Sequence, residues 1–385
     1  VAQKVHSYRY FARLIDQLKL YGAQADKDSG LLAMSRYTLD KLADADAPGL
    51  FISGANSRSE GWVEDQRGEG TIGEGCAVVH MVWWLSKLIE VNGDLSYGDR
   101  IERAIFNHLE AAQDPRSGQT RYDVCLSGER NFRKGAHCCD GNHKRFWADI
   151  EGLIYYGFDG GLAVSLYTPS TARLKAGGTS VILSQQTAYP AEGTVKLTVD
   201  PEKPVSFALR LRIPHWADSY SVTVNGRSAD AQTVPGGIEI TREWSRGDSV
   251  TLGLPMKFHW IAGMKFYDGR AALMRGPQVF CLAPSRNPGL SEIKDWREIT
   301  VDPASVALLP PPNPDGARLP AEAKAKARVT GRPDMDLIFS DFPISDGFET
   351  YFRLTDSEAA VRDEPYGAPD GAVPAAPGSC SEGGR

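Results

Sequence analysis

The sequence has no apolar run near the ~20 residues that a bilayer-spanning helix needs, which excludes a membrane-embedded helical protein. It also lacks lysine- or arginine-rich runs, and its net charge is −6. Both features argue against a nucleic-acid partner or a polybasic membrane anchor. Cysteine is scarce: six in 385 residues cannot build a disulfide scaffold, so a reducing setting or a metal role fits better. The chain opens at Val1-Ala2-Gln3-Lys4-Val5-His6, without an initiator methionine or a signal-peptide pattern. That opening reads as a cut inside a longer protein, and localisation is not readable from it beyond the reducing cytoplasm that free thiols favour. The 42% apolar and 24% charged composition is that of an ordinary globular protein. The length allows about two or three domains.

Apolar spacing predicts helices in residues 1–165. Tyr8, Phe11, Leu14, Ile15, Leu18 and Leu20 recur near helical period, and Gly30 to Leu42 reads as a second helix. A third runs from Cys76 through Ile89 and closes at Asn92-Gly93; a fourth spans Tyr97 to Ala112. After Gly160 the texture becomes strand-like at 162–167, 195–199, 205–213, 220–224, 238–240, 250–254 and 271–281, with Asn225-Gly226 as a hairpin signal. The expected architecture is an α + β multidomain chain. A partial α/α (six-hairpin-type) barrel over 1–160 is followed by an antiparallel β-sandwich over 161–284. Residues 285–385 read as linker, a short β or irregular segment and a disordered tail. The linker part includes Leu309-Pro310-Pro311-Pro312 and the Ala/Lys run at 321–327.

Glu74, Cys76, Cys138 and Cys139 form a candidate four-ligand metal set. Adjacent cysteines do not readily pair with each other, because a vicinal disulfide strains the peptide between them. A soft dication such as zinc suits three thiolates and a carboxylate. The opposing reading is a pair of small buried hydrophobes, a common fate of free cysteine. Glu74 and Cys76, two apart, would diverge on a regular helix, so they can share one ion only at a helix start or in a loop. Gly70-Thr71-Ile72-Gly73 permits such a geometry.

Over roughly residues 55–285 the chain resembles glycoside hydrolase family 127, the β-L-arabinofuranosidase group. The resemblance rests on Gly73-Glu74-Gly75-Cys76-Ala77, on Tyr97-Gly98-Asp99-Arg100 running on to Phe106-Asn107-His108, and on His137-Cys138-Cys139. Leu211-Arg212-Ile213-Pro214-His215-Trp216-Ala217, Val224-Asn225-Gly226 and Arg275-Gly276-Pro277 follow in the same order. It implies a zinc-dependent retaining glycoside hydrolase with a cysteine nucleophile, acting on an oligosaccharide or glycoside that carries β-linked L-arabinofuranose. Zinc would be held by Glu74, Cys76, Cys138 and Cys139. Cys138 would be the nucleophile and Glu60 the general acid/base, with Glu64 and Glu69 as rivals for that role. Glu102 and Tyr122 fall at sugar-contacting positions of the family. The chain departs from the family's usual Glu-Thr-Cys and Cys-Cys-Pro-Pro-Asn: it has Glu74-Gly75-Cys76 and Cys138-Cys139-Asp140-Gly141-Asn142.

His137 and His143 flank the cysteine pair, and either could bind substrate hydroxyls or orient a ligand. His80, one turn after Cys76, reads more simply as a buried hydrogen-bonded histidine. The competing functions are a non-catalytic carbohydrate-binding or structural protein stapled by zinc, and a glycosidase of the same group for another sugar. A partial barrel would also leave a cut edge, expected on the first helix at Tyr8, Phe11, Leu14 and Leu18. Exposure there would drive aggregation or a homodimer.

Overall fold

In the first helix the apolar residues lie three and four apart, so they form one stripe that a neighbour can cover. The computed structural model describes residues 6–25, 27–43, 49–63, 65–114, 116–132, 137–293, 295–310, 321–344 and 346–363. The described residues divide into two units, one taking 6–84, 100–147 and 258–363, the other 85–99 and 148–257.

In the first unit, α1 (Ser7–Ala23) lies against α2 (Gly30–Leu42), tied by Tyr10 Oη to Thr38 Oγ1 at 2.8 Å. Its stripe is not the exposed edge that the sequence suggests: Phe11, Leu14 and Leu18 are buried. Trp62 and Trp84 close over Phe11 at ring-centroid distances of 5.5 and 5.3 Å. Exposure falls instead on Leu20, Met34 and Tyr37. Helix α3 (Gly75–Asn92) follows, stopped by Gly93 at φ 73°. Helix α4 (Tyr97–Arg103) runs into a π-helical turn, Ala104–Leu109, and the short α5 (Glu110–Ala112); α6 (Cys138–Asp149) completes the set.

The stretch expected to be linker contains strands. Glu322–Arg328, Met335–Asp341 and Tyr351–Leu354 join Phe258–Ala262, Ala271–Arg275 and Gln278–Leu282 in one sheet. Gln278–Leu282 pairs with both Met335–Asp341 and Ala271–Arg275, so the sheet returns on itself. The run Ala323-Lys324-Ala325-Lys326-Ala327 has weak β-propensity, yet it alternates with period two. The three alanines are buried against Phe280, Phe339 and Phe352, while Lys324 reaches Asp336 at 3.2 Å. Pro311, Pro312 and the tail after Asp363 lie outside the described residues.

This sheet holds the helical part of its unit. Asn107, in the π-helical turn, donates to Pro277 O (2.9 Å) and accepts from Val279 N (2.7 Å). Arg103 makes a buried ion pair with Asp363. Ser127 Oγ donates to Glu349 Oε1 (2.8 Å), and Thr350 Oγ1 to Leu126 O (2.8 Å).

The second unit carries a six-stranded and a five-stranded sheet. The first contains Ser170–Ala176, Thr179–Thr187, Thr194–Pro201, Asp248–Gly253, Ser221–Val224 and Arg227–Ser228. Alternation buries Val181, Leu183, Leu197 and Leu252 on one face. Asn225 and Gly226, both at positive φ (51° and 75°), make the predicted hairpin turn. In the other sheet, Gly161–Val164 runs parallel to Val205–Arg212, an exception to the antiparallel expectation. Arg212 is fully buried there, its guanidinium on Asp99 Oδ1 (2.5 Å) and its Nε on Ser165 O (2.5 Å). Gly98 is glycine for this reason: a Cβ would stand 2.5 Å from Arg212 Cδ.

Candidate active site

Two helix starts bring the thiols together. Glu74 caps α3, its carbonyl receiving Ala77 N and Val78 N, so Cys76 stands on the first turn while Glu74 stays outside the helix. This is the helix-start geometry that a two-residue spacing requires. Cys138 and Cys139 open α6. Ligand atoms of Glu74, Cys76, Cys138 and Cys139 all lie within 4.8 Å of one another, so these four could hold a metal ion. Cys138 is exposed; the other three are buried.

The electrostatics of the cluster favour a cation. Burial, then the neighbouring Cys76 and Glu60, pushes the Glu74 carboxyl up to about 8. Glu74 Oε2 has no hydrogen-bond partner among the described residues. Cys76 is held down to about 6, first because Cys139 Sγ donates to it across 3.4 Å, then because Asn142 Nδ2 donates at 2.9 Å. Giving that bond pushes Cys139 far up, and burial raises Cys138. Four acidic donors, three of them buried and all within 4.8 Å of one another, fit a soft dication.

Glu60 sits beside this cluster at the tip of a tight hairpin between Ser57–Arg58 and Gly61–Trp62. Ser59 and Glu60 both have positive φ, 47° and 66°, a conformation costly for residues with a Cβ. The turn is pinned by Ser59 N to Thr71 O (2.8 Å) and Ser7 N to Glu60 O (3.0 Å). Tyr122 donates its hydroxyl to Glu60 Oε1 and stands 3.5 Å from Glu74 Oε1. An open pocket of about 300 Å³ lies here, lined by Ser59, Glu60, Thr71, Glu74, Tyr122 and Asp123.

The other expected residues are distributed differently. Glu102 is fully buried on α4 and does not line the pocket. His137 packs edge-on against Tyr122, with ring centroids 5.5 Å apart, and its Nε2 lies 3.3 Å from Thr120 O, so it backs Tyr122. Glu69 pairs with Arg297 at 3.2 Å, away from the pocket lining, and Glu64 lies outside the described residues. His80 Nδ1 meets Cys76 O at 2.8 Å, as a buried hydrogen-bonded histidine would. His143 is buried, which pushes it down to about 4 and leaves it neutral.

Sequence reasoning missed His6 and Asn142. His6 precedes α1 and places Nδ1 3.5 Å from Glu74 Oε2 and Nε2 3.8 Å from Glu60 Oε2. Nothing local in the sequence marks it. Asn142 was legible in principle, since it follows Cys138 by four residues and Cys139 by three, which puts it on their face of α6.

A cluster of three thiols and a carboxylate that could hold a metal ion thus lies beside a carboxylate-lined pocket. The family is identified by two domain models. Residues 6–152 match "Beta-L-arabinofuranosidase, GH127 catalytic domain" and residues 161–256 match "Beta-L-arabinofuranosidase, GH127 middle domain". The chain belongs to glycoside hydrolase family 127. It is 28% identical over 243 residues to a non-reducing end β-L-arabinofuranosidase of Bifidobacterium longum subsp. longum, across 56% of this chain and 36% of that protein. A crystal structure of a family 127 β-L-arabinofuranosidase from Geobacillus stearothermophilus T6 superimposes with TM-score 0.80 at 24% identity, over 92% of this chain and 61% of that one. A second family 127 β-arabinofuranosidase gives TM-score 0.80 at 21% identity, over 93% and 61%. The chain thus spans about a third of the curated relative's length and under two thirds of the solved ones.

Proposed function

We propose that this chain carries the active site of a zinc-dependent retaining glycoside hydrolase that releases L-arabinofuranose from β-linked arabinofuranosides. The observation that carries this reading is the convergence of Glu74, Cys76, Cys138 and Cys139 beside Glu60 and its pocket. The sugar follows the family, whose curated relative is a β-L-arabinofuranosidase. The helices would form an arc of an α/α barrel, and the two sheets of the middle domain a β-sandwich.

Zinc would be held by Glu74 and the three thiolates, where it would keep Cys138 ionised at neutral pH yet weakly basic. In the first step Cys138 Sγ bonds to the anomeric carbon as the glycosidic C–O bond breaks, and Glu60 gives its proton to the departing oxygen. In the second, Glu60 takes a proton from water, the water oxygen bonds to the anomeric carbon, and the thiolate leaves. Two displacements retain the configuration. Among the three thiols Cys138 suits this role because it is the exposed one. Tyr122 orients Glu60, and burial of Cys76 and Cys139 keeps them from reacting.

The test is trapping with an arabinofuranosyl haloacetamide followed by peptide mapping. Label on Cys138, together with turnover of a chromogenic β-L-arabinofuranoside, is the expected result. Label on Glu60 alone would return the enzyme to carboxylate chemistry. Zinc uptake without label or turnover would favour a purely structural metal.

A further inference from the structure

Glu74 is flanked by two glycines, and each faces a buried imidazole. Gly73 needs its small size twice over: its φ is 70°, and a Cβ would stand 2.0 Å from Cε1 of His108, whose Nε2 lies 2.7 Å from Gly73 O. Gly75 has no positive φ, so conformation does not demand glycine there. The demand comes from His143: a Cβ at residue 75 would stand 2.4 Å from Nε2 and 2.9 Å from Cδ2 of that ring, and 3.3 Å from Cys139 Cβ.

We infer that Gly75 and His143 are an interlocked pair and that the His143 ring is a positioning residue for the thiolate cluster. His143 follows Cys139 by four residues on α6, so the two share a face of that helix. Gly75 lies between Glu74 and Cys76 at the start of α3. The ring therefore sits where the segment bearing one pair of ligands meets the segment bearing the other, and its thickness sets their separation. His143 is fully buried, and neither ring nitrogen has a hydrogen-bond partner among the described residues. An imidazole kept in the interior without such partners is costly, so its shape is what the site uses. The Glu-Gly-Cys spelling follows: any side chain between these two ligands would have to displace the His143 ring or the backbone.

A double-mutant cycle on the full chain tests this, with Gly75→Ala, His143→Ala and the double variant. Zinc affinity is read by competition with a chromophoric chelator, site geometry by the cobalt(II) absorption spectrum, and the metal-free fold by its melting midpoint. Gly75→Ala alone is expected to weaken zinc binding roughly 10- to 100-fold and to alter the cobalt spectrum. In the His143→Ala background the same change should cost no more than about twofold, and the midpoint penalty should also shrink. Equal penalties in both backgrounds, or none in either, would overturn the inference. Should Gly75→Ala fail to fold, recovery of folded protein by adding His143→Ala supports the interlock, and failure to recover overturns it. The affinity arm rests on the metal reading above. If the parent chain takes up no zinc that reading fails, while the midpoints of the metal-free variants still decide the interlock.

Discussion

Tyr122 donates its phenolic hydrogen to Glu60, and the same oxygen lies 3.5 Å from the Glu74 carboxylate. One hydroxyl thus links the proposed proton donor to the proposed metal cluster. Tyr122 stands at the base of a segment that the C-terminal strands grip through Ser127, Leu126 and Gly128. The Glu60 turn is held from the other side by Ser7. The carboxylate is therefore placed by long-range contacts more than by its own hairpin.

Removing that hydroxyl should loosen Glu60 without emptying the cluster. Tyr122→Phe is expected to lower kcat roughly 10- to 100-fold, the worth of a hydrogen bond to a charged group. Zinc content by elemental analysis should be unchanged. Loss of metal along with activity would place Tyr122 among the supports of Glu74 instead.

Glu60→Gln should fold and bind metal normally, yet lose about 10²- to 10⁴-fold activity on alkyl arabinofuranosides. On a nitrophenyl arabinofuranoside, whose leaving group needs little protonation, the loss in the first step should be much smaller. Turnover measured on both substrates checks this. Equal losses would point to a positional role for Glu60.

Cys139→Ala should take the protein from about one bound zinc per chain to far less, since one of four ligands is lost. Binding to the parent protein should release protons, because Glu74, Cys138 and Cys139 are all raised in the metal-free chain. Calorimetry at one pH in two buffers of different ionisation enthalpy reads that release. Full zinc occupancy in Cys139→Ala would remove Cys139 from the ligand set.

Glu349 gives a pH dependence outside the cluster. Burial pushes its carboxyl up to about 7, against opposing bonds from Tyr351 N, Ser127 Oγ and Thr350 N, which all reach Oε1. A carboxyl raised on folding stabilises fully below its unfolded value of 4.5, and that contribution is lost as pH rises through about 7. Glu349→Gln can keep the three bonds to Oε1 without ionising. Its melting midpoint should therefore fall less than the parent's between pH 5 and pH 8. Parallel curves would show that Glu349 is not the group responsible.

The buried Arg212–Asp99 pair should be a large stability determinant of the second unit. Asp99→Ala leaves the guanidinium buried without its partner, at a cost of about 3–5 kcal/mol. Denaturant unfolding followed by tryptophan fluorescence measures it. A loss below about 1 kcal/mol would mean that water or the Ser165 carbonyl compensates the charge.

Much of the local structure was legible because it depends on short-range pattern. Helices α1, α2 and α3 follow apolar spacing, as does the stretch 97–112 that the structure divides into α4, a π-helical turn and α5, and the Asn225-Gly226 turn follows from the positive φ that both residues tolerate in a two-residue loop. The C-terminal strands were not legible, since Ala323 to Ala327 carry helix-forming residues and gain their strand state from the partners on either side. Glu102 entered as a candidate through the family resemblance alone; the fold buries it completely on α4, outside the pocket lining, a placement that no local pattern announces.

By itself the sequence determined the ligand candidates, the family and the order of helical and strand regions, because these reside in residue identity and local spacing. Only the tertiary structure decided which groups meet. It set Glu74 outside α3 and Cys76 inside it, brought His6 from before α1 to the two carboxylates, and laid the His143 ring over Gly75. Glu74 and Cys139 are 65 positions apart in the chain, yet their ligand atoms lie within 4.8 Å. Such proximity comes from packing the start of α3 against α6, where Gly75 meets His143 and Cys76 meets Cys139, a free-energy balance over the whole unit that no short window of residues contains.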